Sequence, residues 1–93
     1  MQHERNICGA IARLVQINVR YSGKERVLEP YCHGTDTKGN EVLRAYQVSN
    51  DSGWRFFHVA KIERIEVTNE PFKPDRSDYN PRDKQMEIVH CCV

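Results

Sequence analysis

The amino-acid sequence predicts a mainly β fold: a small, five-stranded, strongly bent antiparallel barrel with one N-terminal α-helix and an extended C-terminal tail. Three observations predict it. Apolar residues alternate with polar ones in short runs, the period of a half-buried strand. Five such runs follow at roughly ten-residue spacing, and three of their junctions are rich in tight-turn residues. Only the first segment carries the helical period instead.

That first segment is 3–15, HERNICGAIARLV. Ile7, Ala10, Ile11, Leu14 and Val15 fall on one apolar stripe, while Glu4 near the start and Arg13 near the end suit the helix dipole. Gly9 inside it costs up to about 1 kcal/mol. In 16–21, Ile17, Val19 and Tyr21 alternate with Gln16, Asn18 and Arg20, which predicts a strand. Ser22-Gly23-Lys24 is a turn. A second extended run covers 25–34, where Pro30 has no N–H to donate and so belongs at a sheet edge or a bulge. After the turn at Thr37–Asn40 a third strand is predicted over 41–49. Asn50-Asp51-Ser52-Gly53 turns the chain into a fourth strand, 54–59. Residues 60–63 suit one helical turn and 64–68 a fifth strand. Closing these strands into a barrel removes the exposed edges they would otherwise leave, with the helix capping one open end.

The chain divides on this reading into a helix-plus-barrel domain, 1–69, and a tail, 70–93. The tail holds three prolines and many charges before its apolar end, Met86–Val93, which is expected either to add a strand or to join a neighbouring chain. Phe72 and Tyr79 are expected to pin it to the barrel.

With 93 residues the core is modest and leaves little room for a deep active-site cleft. The net charge of +1 excludes a global field that would draw in nucleic acid. The charge is unevenly placed. Residues 13–64 hold nine basic and six acidic side chains, and 65–93 hold four basic and six acidic. No apolar run approaches the ~18–20 residues of a membrane span, so no membrane partner is expected. The polar start MQHERN carries no signal-peptide core, and a cytoplasmic protein is expected. Cys8, Cys32, Cys91 and Cys92 are then expected as reduced thiols, the first two as small buried hydrophobes and the last two as frayed terminal groups.

Cys32-His33 and His90-Cys91-Cys92 offer soft ligands, but they lack the C-x₂₋₄-C gap of structural zinc sites, and neighbouring strand side chains point to opposite faces. No metal site and no cofactor is expected. A nucleophile elbow and a Gly-rich phosphate loop are both missing, and no enzyme is expected. The remaining signal is cations interleaved with rings. Arg44 and Tyr46 share one face of the third strand, and Arg55 and Phe57 share one face of the fourth. If those faces adjoin, two guanidinium forks lie beside two stacking platforms, a pairing that suits phosphates and bases.

These pieces also occur in a known order. An Ala/Ile-rich helix leads into a strand ending in Tyr21. Then come Arg26-x-x-x-Pro30, Arg44-Ala45-Tyr46, and Arg55-x-Phe57-x-Val59-x-Lys61-Ile62. On these motifs residues 7–68 resemble the WYL domain, a small barrel of the SH3/Sm-like kind found in bacterial regulators. Of the naming Trp-Tyr-Leu triplet, which falls near Glu41-Val42-Leu43, only Leu43 matches, and Lys61 stands where arginine is common. A winged helix-turn-helix does not precede the barrel in this sequence, so a stand-alone module is expected. The resemblance implies a non-enzymatic sensor of the kind used in transcription regulation, binding a nucleotide or single-stranded nucleic acid through a basic patch. That patch would draw on Tyr21, Ser22, Arg26, Arg44, Tyr46, Arg55 and Lys61. The alternative is a protein-interaction or self-assembly module that uses the barrel edge and the tail.

Overall fold

One long strand organises the molecule. In the computed structural model, which describes residues 2–76 and 86–93, the elements are α1 (Gln2–Arg13), β1 (Val15–Tyr21), β2 (Lys24–Asp36), β3 (Glu41–Gln47), β4 (Gly53–His58), a 3₁₀ turn (Val59–Lys61), β5 (Ile62–Pro71) and β6 (Met86–Cys92). Every pairing is antiparallel, and the strand order is β4-β3-β2-β1-β5. On one edge β2 pairs first with β1, over residues 24–28, and then with β6, over residues 32–36; its other edge carries β3. The hydrogen-bond ladder of the sheet stays open between β4 and β5 among the described residues, so the expected barrel is not closed. The mainly β prediction with an N-terminal helix holds, with six strands in place of five.

Each local departure from the sequence reading has a cause. Helix α1 stops at Arg13 because Leu14 takes a left-handed φ of 55° and donates its N–H back to the carbonyl of Ile11. Pro30 does sit at a register shift, between Pro30 and Cys32, and this lets a proline occupy a central strand. Strand β5 runs on to Pro71, after which Phe72 is buried against the ring of Tyr31. The other expected anchor, Tyr79, lies outside the described residues. The apolar end adds β6 to the sheet.

Two apolar clusters form because β2 and β3 are covered on both faces. The larger joins Ile7, Ala10 and Ile11 of α1 to Ile17, Val19, Leu28, Leu43, Ala45, Phe57 and Val59. The smaller, on the opposite face, holds Cys32, Val42 and Met86, with Phe56 and Cys92 against it. Consecutive buried residues such as Val42 and Leu43 therefore serve different cores.

The cysteines overturn the expectation of reduced thiols: Cys8 is bonded to Cys91, and Cys32 to Cys92. The cause is the register of β6. It lays Cys92 opposite Cys32 and Cys91 opposite His33. Adjacent strand side chains point to opposite faces, so the sulfur of Cys91 reaches α1 while that of Cys92 stays on the outer face. Nothing local to HCCV announces either partner. Among the described residues no helix is long and apolar enough to cross a membrane.

Candidate basic cleft

Of the seven side chains expected in one patch, five divide between two faces of the sheet, and Ser22 and Lys61 lie in turns. Across β3 and β4 the register pairs Arg44 with Phe56, Ala45 with Arg55 and Tyr46 with Trp54. Directly opposed residues share a face. Arg55 and Phe57 therefore lie with Ala45 and Leu43, and Arg44 and Tyr46 lie on the other side with Phe56 and Trp54.

On the outer face the rings are already occupied. The Arg44 guanidinium stacks 4.7 Å from the Phe56 ring centroid. Arg76 lies 3.4 Å over Tyr46 and donates from Nε to Glu29 at 2.9 Å. The chain's own arginine thus covers the ring expected to stack a base. Trp54 meets both Tyr31 and Tyr46 edge-on, at 4.8 and 5.6 Å.

The inner face brings Tyr21, Arg26 and Arg55 together. Arg26 enters from β2, opposite Val19. Its guanidinium carbon sits 5.5 Å from the Tyr21 ring and 5.7 Å from that of Phe57, and these two rings meet edge to face at 4.9 Å. Tyr21 is fixed by accepting the His58 N–H at 3.2 Å. Arg26 donates from Nη1 to Gln47 at 3.2 Å, but its Nε is buried and has no hydrogen-bond partner among the described residues. Arg55 is held by the carbonyls of Trp54, at 3.1 Å, and Asp51.

These two arginines line a cleft of about 490 Å³ with Lys24, Glu25, Gln47, Asn50 and Asp51. Glu25 is already spent on two cations: it accepts from Arg20 at 3.0 Å and from Arg64. Those hydrogen bonds, Arg20's first, hold its carboxyl below the usual glutamate range. Lys24, Arg26 and Arg55 therefore outweigh the acids facing the cleft. Ser22, in the β1–β2 turn at φ 52°, and Lys61, exposed at the end of the 3₁₀ turn beside Tyr21's partner Ile62, do not line it.

Sequence reading missed Lys24, Gln47, Asn50 and Asp51. The two turns that hold most of them were visible; that these turns face each other across the β2–β3 pair was not. Two histidines and two glutamates, Glu4, His33, Glu41 and His90, gather at the other end of that hairpin. Burial, and secondarily His90, holds the His33 pKa below the ordinary histidine value.

No family model matches the chain, and no curated protein matches it. Among solved structures it is similar to proteasome accessory factor B/C (PafBC) of Arthrobacter aurescens, with a TM-score of 0.74 and 22% identity over 87% of this chain. The match spans 14% of that longer protein. The likeness is one of fold: a mainly β unit with an N-terminal helix.

Proposed function

We propose that the chain is a non-enzymatic regulatory or sensor module that binds a phosphate-bearing ligand, a nucleotide or a short single strand, in the Lys24–Arg26–Arg55 cleft. The observation that carries this reading is the buried, unpartnered Nε of Arg26, beside a second arginine and a lysine in one open cleft. A guanidinium N–H left without an acceptor costs about 1–3 kcal/mol. A phosphate oxygen in the cleft would accept from Arg55 and, once the Arg26 side chain turns to present it, from that N–H. Gln47, Asn50 and the backbone of the 48–52 turn offer polar groups for the rest of a nucleotide. The fold neighbour is by title an accessory factor, which agrees with a module that acts by binding. Arg44 and Tyr46 take no part, because they face the other way.

The test is a titration with fluorescent mononucleotides and with a labelled single strand, each at low and moderate salt. Arg26→Ala and Arg55→Ala should each weaken binding roughly 10-fold or more, the scale of one charge-assisted hydrogen bond. Arg44→Ala, on the opposite face, should change it less than about 2-fold. If the ligand is a strand, three phosphate contacts predict a salt slope of about −2, and a mononucleotide should be less sensitive. Equal losses in all three variants, or none, would remove the cleft as the site.

A second reading has its own observation. Ile88 and Val89 on β6 remain 54% and 49% exposed, and among the described residues β6 pairs only with β2. An unpaired apolar edge can add a strand from another chain. Sedimentation of the wild type and of Ile88→Glu should then show association that the charged variant lacks. A wild type that stays monomeric at high concentration would end this reading.

A further inference from the structure

Four elements each deliver one potential metal ligand to a single spot, away from the basic cleft. Glu4 comes from α1, His33 from β2, Glu41 from β3 and His90 from β6. One ligand atom from each lies within 4.8 Å of all the others. His90 Nε2 is 3.0 Å from Glu41 Oε1 and 3.9 Å from Glu4 Oε2. The two nitrogens of His33 each stand 3.9 Å from a carboxylate oxygen, Nδ1 from Glu4 and Nε2 from Glu41.

His33 is the second observation. Its side chain is 0% exposed, yet neither ring nitrogen has a hydrogen-bond partner among the described residues. A buried imidazole with both nitrogens unmatched is costly unless something else fills the gap. The local backbone supports the arrangement. On β6 the register steps from Cys91 to Val89 while β2 moves one residue, so His90 is the extra residue of a bulge. That bulge turns His90 toward the same side as Cys91 and His33, where its ring lies 5.1 Å from that of His33. Thr35 donates to Glu41 and contacts His90 at 3.0 Å, an outer contact of the kind that orients ligands.

We propose that Glu4, His33, Glu41 and His90 form a binding site for a divalent transition-metal cation of the zinc class. Zinc takes imidazole nitrogen and carboxylate oxygen at about 2.0–2.2 Å in tetrahedral array, which sets neighbouring donor atoms roughly 3.4 Å apart. The separations of His90 Nε2 from Glu41 and from Glu4, 3.0 and 3.9 Å, lie on either side of that figure, and all four donor atoms fall within 4.8 Å of one another, so the site closes slightly on the ion. Two carboxylates balance the charge of the cation. Two imidazoles disfavour calcium and magnesium, which take oxygen sets. All four positions come from protein, so the site is of the closed, structural type, and it ties α1 and β6 to the β2–β3 hairpin. Cys8 and Cys91 adjoin His33, but their sulfurs are bonded to each other and offer no thiolate.

The experiment uses the oxidised full chain, stripped with chelator. Zn²⁺ is titrated in competition with a chromophoric chelator, and Co²⁺ is followed by its visible spectrum. The expected result is one ion per chain, the intense visible bands of tetrahedral Co²⁺, and a melting temperature that rises with free metal. His33→Ala risks misfolding, so the informative variants are at the rim: His90→Ala and Glu41→Gln should weaken binding by about 100-fold and about 10-fold. His58→Ala, which removes a histidine outside the cluster, should leave it unchanged. Three results would overturn the proposal: no stoichiometric binding, binding undiminished in His90→Ala, or binding that needs prior reduction and shows thiolate-to-cobalt absorption.

Discussion

Reduction of the two disulfides should lower the melting temperature by about 12–24 °C, equivalent to about 3 kcal/mol for a domain of this size. The Cys8–Cys91 bond spans 83 residues and the Cys32–Cys92 bond spans 60. A cross-link stabilises chiefly by shrinking the unfolded ensemble, and long loops give the larger effect. The two bonds end on adjacent residues. Once one has formed, the other closes only the shorter path between Cys8 and Cys32. Their contributions are therefore less than additive, and Cys8→Ser or Cys32→Ser alone should cost less than half of the total, because the remaining bond still closes a long loop. Thermal melts followed by circular dichroism, with and without reductant, check this. A reduced chain that melts within about 3 °C of the oxidised one would show that β6 is held by its ladder and packing alone.

The substitution Gly34→Ala should be nearly as damaging, at about 2–3 kcal/mol or roughly 8–24 °C. Gly34 lies where β6 crosses β2. A methyl group there would run into the carbonyl oxygen of Ile88 and approach the Met86 sulfur to 3.2 Å. The obstacle is backbone, so a rotamer change cannot relieve it, and β6 must move off its partner. Amide exchange should then speed up at Ile88 to Cys92 while β1 and β3 stay protected. The matching control is Gly9→Ala on the exposed side of α1. Its added methyl meets nothing within 4 Å, and it should raise stability by about 0.5–1 kcal/mol. Unchanged melting in Gly34→Ala would mean that β6 is not seated as described.

Alternation within a strand was readable, and register between strands was not. The sequence shows that Arg44 and Tyr46 share a face, and likewise Arg55 and Phe57. Whether those pairs adjoin depends on the alignment of β3 against β4, which the 48–52 turn sets. A one-residue slip exchanges the faces of a whole strand. Here Ala45, not Arg44, sits opposite Arg55, and the single patch becomes two. The same limit hid where β6 pairs. Its residues carry no clear period, since its bulge interrupts the alternation, and its partner residues lie 50 to 60 positions upstream. The His33 cluster was illegible for a related reason: spacing rules for metal sites look along the chain, and these four side chains come from four elements. By contrast the helix, the Pro30 bulge and the first, third and fourth strands follow from local pattern.

Because both sulfur bridges end on neighbouring residues of one strand, the molecule is covalently a pair of fused rings. Hydrolysis of any one peptide link between His33 and His90 would leave the fragments joined as a single species until thiol is added.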